Sequence, residues 1–202
     1  MTSYELTCPE NLIAGIDEVG RGALFGVVVA AAVILPKAMI ADCQDWGIKD
    51  SKKLSARRRE QLVPQIQQAA IAYKIGVATV AEIDELNILQ AALIAMHRAI
   101  VGLEVTPELC LVDGNRSIPN LDLPQQTLVR GEDRSISIAA ASILAKVWRD
   151  RLMAELAIIY PMYDLANNNG YGTAKHLAAI AKYGITSEHR QSFSPCKSRS
   201  ES

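Results

Sequence analysis

The sequence predicts an α/β fold in which helices cover a sheet. Two observations carry this. Apolar runs alternate with stretches whose apolar residues recur every three or four positions. Three of the runs also end in acidic residues beside glycine: Asp17-Glu18 ahead of Gly20, Asp113 ahead of Gly114, and Glu132-Asp133 after Gly131. In layered α/β sheets ligands gather at strand ends. The pattern therefore predicts one shared site rather than three solvated turns.

The elements follow in order. The apolar run over residues 13–16 stops at two adjacent carboxylates. Gly20-Arg21-Gly22 comes next, and residues 24–35 run almost without polar atoms, so this reads as strand, turn, strand. Adjacent strand residues point to opposite faces. One of Asp17 and Glu18 thus faces the site directly, and the other reaches it from the strand edge. Ser55 caps a helix over residues 56–70 that buries Leu62, Ile66 and Ala69, and Pro64 predicts a kink or break in it. Residues 71–80 read as a third strand. Thr79 and Glu82 match a capping box that opens one helix to about Gly102, with Leu86, Leu89, Leu93, Met96 and Ile100 buried. Short strands over 108–112 and 126–129 precede a long helix over about 136–158. Ile138, Ala141, Ala145, Trp148 and Leu152 form its stripe, and Tyr160-Pro161 ends it. Residues 167–172 form a polar loop, Thr173 caps a helix over 174–183, and Gly184 ends that helix.

Composition narrows the chemistry. Half of the 202 residues are hydrophobic but only 5% are aromatic, so Ala, Ile, Leu and Val build the core. The net charge of −1 does not announce a nucleic-acid binder; any such surface is local. Cys8, Cys43, Cys110 and Cys196 lack metal-ligand spacing, and His97, His176 and His189 look isolated. This argues against a zinc site or a disulfide framework and for reduced thiols in a cytoplasmic protein. No apolar run is long enough to span a membrane, and residues 1–10 do not read as a signal peptide. Asp17, Glu18, Asp113 and Glu132 then form an all-oxygen set suited to Mg²⁺ or Mn²⁺. Two such ions can clamp the oxygens of a phosphodiester during cleavage. Gly20, Arg21 and Gly22 offer a cradle for a sugar-phosphate. Lys52 and Lys53, with the arginines at 57–59, suit a phosphate backbone. Tyr171, between two glycines, can reach a ribose 2′-hydroxyl or stack on a sugar or base. Lys146 and Asp150, four apart, read as a surface ion pair. Each feature alone has an ordinary reading as a turn or a solvated helix start; the combination favours the metal reading.

The stretch Asp17-Glu18-Val19-Gly20-Arg21-Gly22 resembles the opening motif of the ribonuclease HII family. Asp50-Ser51-Lys52-Lys53-Leu54, Leu111-Val112-Asp113-Gly114-Asn115, residues 137–147, Arg149-Asp150 and Gly170-Tyr171-Gly172-Thr173 extend the resemblance over about residues 11–196. It implies an RNase H-like fold with a mixed five-stranded sheet and a helical C-terminal portion over about 160–196. All 202 residues would form one catalytic domain, with residues 197–202 disordered. It implies an endonuclease that cuts RNA in RNA–DNA hybrids and 5′ to single ribonucleotides in duplex DNA, leaving 3′-hydroxyl and 5′-phosphate ends. Such an enzyme removes misincorporated ribonucleotides and RNA primers. The metals would sit on Asp17, Glu18, Asp113 and the acid after Arg130-Gly131, while Gly20, Arg21, Gly22 and Tyr171 would sense the 2′-hydroxyl. One departure stands out: the family usually has Asp in the slot that Glu132 fills here, which leaves Asp133 as a fallback ligand. No extra N-terminal domain precedes the core, which in this reading separates the chain from ribonuclease HIII. The expected state is a monomer; a replication-clamp partner stays open. Two rivals remain: a nucleic-acid-binding module with a degenerate site, which Glu132 encourages, and another nuclease of similar fold.

Overall fold

The computed structural model describes residues 3–197. Among them, five strands form one mixed sheet in the order β3-β2-β1-β4-β5. They are β1 (Ile13–Val19), β2 (Val28–Ile34), β3 (Ala72–Ala78), β4 (Leu109–Asp113) and β5 (Gln125–Leu128). β1–β2 and β2–β3 are antiparallel, whereas β1–β4 and β4–β5 are parallel. The helices are α1 (Ile40–Asp45), α2 (Ala56–Ala69), α3 (Val80–Leu86), α4 (Ile88–Val101), α5 (Ile136–Ile159), α6 (Leu165–Asn168), α7 (Ala174–Tyr183) and α8 (Ser194–Lys197).

Strand alternation sorts the core into two layers. Ala30, Ala32 and Ile34 pack with Ala92, Ala95 and Met96 of α4 on one face. Val29, Ala31 and Val33 pack with Leu62 and Ile66 of α2 and with Ala140 and Ile143 of α5 on the other. Small residues bring α5 unusually close. A β-carbon on Gly15 would lie 2.2 Å from Ile138 N, so only glycine admits the helix here. The N-terminus of α5 is further anchored by buried Glu5, which accepts from Ser137 N at 2.7 Å and Ser135 Oγ at 2.6 Å.

Several elements differ from expectation. The second strand starts at Val28, because Phe25 bridges to His189 instead of pairing with a strand. The helix expected to run from residue 80 to about 102 is two helices. Asn87 breaks it with φ 80°, and its side chain accepts from Leu89 N and Gln90 N to cap α4. Leu86 is consequently exposed and Leu89 only half-buried. α2 runs through Pro64 without a break, since Leu62, Val63 and Ile66 on either side are buried in the core. Trp148 lies partly exposed beside the buried stripe of α5, which Ile143, Leu144 and Val147 fill instead. Lys197 ends α8, and residues 198–202 of the expected tail lie outside the described residues. No described helix is long and apolar enough to cross a membrane. The four cysteines form no disulfide.

The histidines at 176 and 189 are not isolated. Both are fully buried, with their Nε2 atoms 3.3 Å apart, among the rings of Phe25 and Tyr163. Burial lowers both imidazoles, and His189 falls to about 4. Both are neutral when folded, whereas the unfolded chain protonates them below their ordinary value of 6.5. Their contribution to stability is therefore complete above pH 6.5 and is lost as pH falls toward 4. Thermal melts between pH 7 and pH 4.5 should show this loss, and His189→Asn should reduce it. An equal acid slope in the variant would refute the assignment.

Candidate active site

The sheet delivers the acidic residues to one edge. Asp17 faces Ala31 across the β1–β2 ladder, and Glu18 faces Ala30. Opposed residues share a face, so Asp17 points to the α5 layer and Glu18 to the α4 layer. Asp113 lies one residue past Val112, the partner of Ile16 in the parallel β1–β4 ladder. It therefore ends β4 level with Asp17. Glu132 arrives by a turn. Arg130 adopts a left-handed conformation (φ 56°), Gly131 N donates to Asp113 Oδ1 at 2.6 Å, and Glu132 turns inward. There Ser142 Oγ donates to Glu132 Oε1 at 2.9 Å and also lies 2.9 Å from Ser51 Oγ.

These carboxylates repel one another in a dry setting. Asp17 is 3% exposed. Burial pushes its carboxyl well above the usual range, and Glu18, Asp113 and Glu132 add to the push. Burial also raises Glu18 and Glu132, against the pull of Arg21 on the first and of Asp17, Ser142 and Lys52 on the second. Among the described residues, no three His, Cys, Asp or Glu side chains are drawn together at metal-coordinating spacing. Each carboxylate is held by a partner of its own. Asp17 Oδ1 accepts from Glu18 N, Glu18 Oε1 meets Arg21 at 3.0 Å, and Asp113 Oδ1 meets Gly131 N. Each bond engages one oxygen of its carboxylate. The donors are all oxygen, and Arg21 and Lys52 offset their charge only in part, which fits a hard divalent cation.

Beside the acids lies the cradle of Gly20, Arg21 and Gly22. Gly20 has φ 91°, and a β-carbon there would fall 2.3 Å from Arg149 Nε. Tyr171 Cε1 would meet a β-carbon on Gly22 at 3.8 Å, ordinary contact, so its ring stands next to the Gly20–Gly22 turn. Leu24 N donates to Gly170 O at 2.8 Å and ties the two loops together. A cavity of about 290 Å³ opens between Glu18, Arg21 and Asp113 on one side and Leu89, Leu93 and Met96 on the other. The arrangement joins an anionic corner to a groove with backbone amides and one aromatic ring.

The Ribonuclease HII family model matches residues 14–196. The chain belongs to the ribonuclease HII family. A ribonuclease HII of Trichormus variabilis is 58% identical over 187 residues, covering 93% of this chain and 83% of the relative. The ribonuclease H2 structure from Pyrococcus horikoshii superposes with a TM-score of 0.78 at 25% identity, covering 92% of this chain and 95% of that one. The PCNA:RNase HII complex from Archaeoglobus fulgidus gives 0.69 at 26%, covering 89% and 93%. The RNase H-like fold is thereby shown, and the chain is an enzyme, a metal-dependent hydrolase of the ribonuclease H type.

Within this ribonuclease HII fold, the residues singled out in the sequence divide. Asp17 lies within reach of the charges of Glu18, Asp113 and Glu132, and Lys52 Nζ lies 3.5 Å from Glu132. Glu132, Asp17 and Asp50 raise the Lys52 amine against the effect of burial. Asp133 turns away: Lys53 holds it at 2.6 Å and Arg130 at 2.7 Å. Arg58 and Arg59 serve the fold rather than an open phosphate track, because Arg58 donates to Trp46 O and Arg59 to Ser51 O and Leu54 O. Asp150 binds Lys146 as expected and also lies 3.5 Å from Arg59, linking α5 to α2. Sequence reading placed Ser142 and Arg149 in the motifs but gave them no role, and it missed Arg190. Arg149 and Arg190 are fully buried yet donate to the carbonyls of Arg21, Phe25, Gly26, Val27 and Asn169.

Proposed function

We propose that this ribonuclease cleaves the RNA strand of RNA–DNA hybrids and nicks duplex DNA 5′ to single embedded ribonucleotides. The observation that carries the reading is the junction of the four-carboxylate corner with the cradle of Gly20–Gly22 and Tyr171. Asp17, Glu18, Asp113 and Glu132 would hold Mg²⁺ or Mn²⁺, which in such sites supplies an activated water and neutralises the leaving oxygen. Glu132 supports this fourth place better than Asp133, since it faces Ser142 and Lys52 while Asp133 is bound by Lys53 and Arg130. Lys52, exposed at the rim, would meet the scissile strand's phosphate. Gly20 and Gly22 let backbone amides approach the sugar, and Tyr171 would contact the ribose bearing the 2′-hydroxyl. Because the site carries no histidine, hydrolysis depends on the carboxylates and what they hold. A replication-clamp partner is a further expectation, supported by the Archaeoglobus relative alone.

The reading is tested with an end-labelled RNA–DNA hybrid in Mg²⁺, in Mn²⁺ and after chelation by EDTA. Metal-dependent products ending in 3′-hydroxyl and 5′-phosphate are expected. Tight hybrid binding without product in either metal would instead favour a binding module with a degenerate site.

A further inference from the structure

The buried pair His176 and His189 has no part in the proposed hydrolysis, yet its bonds lead to Tyr171. The protons on this pair can be placed from its partners. Thr186 N, which can only donate, lies 3.0 Å from His189 Nδ1. That ring nitrogen must therefore accept, and the proton of neutral His189 sits on Nε2. At the other end, the Tyr171 carbonyl, which can only accept, lies 3.0 Å from His176 Nδ1. His176 therefore carries its proton on Nδ1, and its Nε2 accepts. The two assignments meet without conflict at the 3.3 Å contact, where His189 Nε2–H donates to His176 Nε2. All hydrogen-bonding positions of both rings are thus used.

The surroundings hold this chain rigid. Phe25 and Tyr163 contact His189 edge-on, with ring centroids 4.8 and 4.7 Å away, and Tyr163 lies 5.8 Å from His176. His176 is held in turn through its own backbone, whose N–H donates to the Thr173 cap. His189 joins the strand-like bridge to Phe25, which follows directly on the Gly20–Gly22 turn. One end of the chain thus rests on the segment after the cradle, and the other on the backbone of its aromatic residue.

We propose that His176 and His189 are positioning residues, a one-directional hydrogen-bond chain that fixes the Tyr171 backbone and so sets its ring against Gly22. The proposal rests on the reading that Tyr171 contacts the ribose. Neither histidine touches substrate. Their effect passes through the placement of Tyr171, and misplacing a contact group by about 1 Å can cost up to roughly a hundredfold in rate.

Two measurements test this separately. Nitrogen-15 histidine NMR of the wild-type protein at pH 7.5 should show His176 protonated at Nδ1 and His189 at Nε2. A proton on His176 Nε2 would overturn the chain whatever the activity. Kinetics on a duplex with one ribonucleotide should show His176→Ala lowering kcat/KM about tenfold, and lowering it no further in a Tyr171→Ala background. His176→Asn, whose amide stands where Nδ1–H stood, should recover most of the loss. It also supplies the reading if the alanine variant does not fold. Multiplicative effects of His176 and Tyr171, or an asparagine variant as impaired as alanine, would refute the positioning role. Wild-type rates in Tyr171→Ala alone would refute the ribose contact instead, and the NMR result would still report on the chain.

Discussion

Asp17→Asn should abolish cleavage and at the same time raise the melting temperature of the metal-free protein. Asp17 is buried at the end of β1, and its charge meets those of Glu18, Asp113 and Glu132. Asparagine keeps the shape and removes the charge. Loss of one proposed metal ligand should lower kcat by roughly a thousandfold or more, the scale of removing one transition-state stabilising group. Relief of repulsion should stabilise the fold by about 1–2 kcal/mol, as is common when a functional strain is removed. At this length that corresponds to roughly 2–8 °C. The pH dependence has a definite sign. Folding raises the Asp17 carboxyl above its ordinary value of 3.8, so the wild type loses stability as pH climbs from there through the raised value. The advantage of the variant should thus grow as pH rises from 4 through that raised value. Added Mg²⁺ or Mn²⁺ should raise the wild-type melting temperature and shift the variant less. An active Asp17→Asn enzyme would remove Asp17 from the site.

Arg190→Met should cost both stability and activity. Arg190 is fully buried, and its guanidinium donates to Gly26 O at 2.9 Å, Arg21 O at 2.9 Å and Val27 O at 3.1 Å. Burial, with Arg149 nearby, lowers it to about 9, so it stays charged at neutral pH. Methionine would leave three carbonyls without these donors. Charge-assisted bonds contribute about 1.5–3 kcal/mol each, and the bonds are not additive, so a loss of about 3–5 kcal/mol is expected in urea unfolding. The same bonds hold the backbone of Arg21 in the cradle, so cleavage should fall as well. Arg190→Lys should not rescue, because an ammonium cannot reproduce the planar fork that spans three carbonyls. An unchanged urea midpoint in Arg190→Met would show that these bonds carry no net stability.

The acidic corner was legible because it is written locally. Asp17, Glu18 and Asp113 each end an apolar run, and strand alternation already separated the faces of Asp17 and Glu18. The Thr79–Glu82 box forms as its sequence requires. Asn87 was an overlooked sign, since Asn both tolerates positive φ and caps helices. The buried cations and imidazoles were not legible. Arg190 and Arg21, or His176 and His189, are neighbours only after the C-terminal segment folds back on the β1–β2 connection, and no periodicity records that. Glu5 was equally hidden, because Ser135 and Ser137, its partners at the start of α5, lie 130 and 132 residues away. The Thr173 cap placing His176 at the start of α7, and the adjacent His189-Arg190 pair, were the only local signals.

The most direct measurement is the cut map of a DNA duplex carrying one ribonucleotide, beside an identical all-DNA duplex, in Mg²⁺, Mn²⁺ and EDTA. The expected result is one metal-dependent nick 5′ to the ribonucleotide, with the all-DNA duplex intact. Cutting of both duplexes alike would contradict 2′-hydroxyl sensing by the Gly20–Gly22 and Tyr171 cradle, and cutting that survives EDTA would contradict the role given to the four carboxylates.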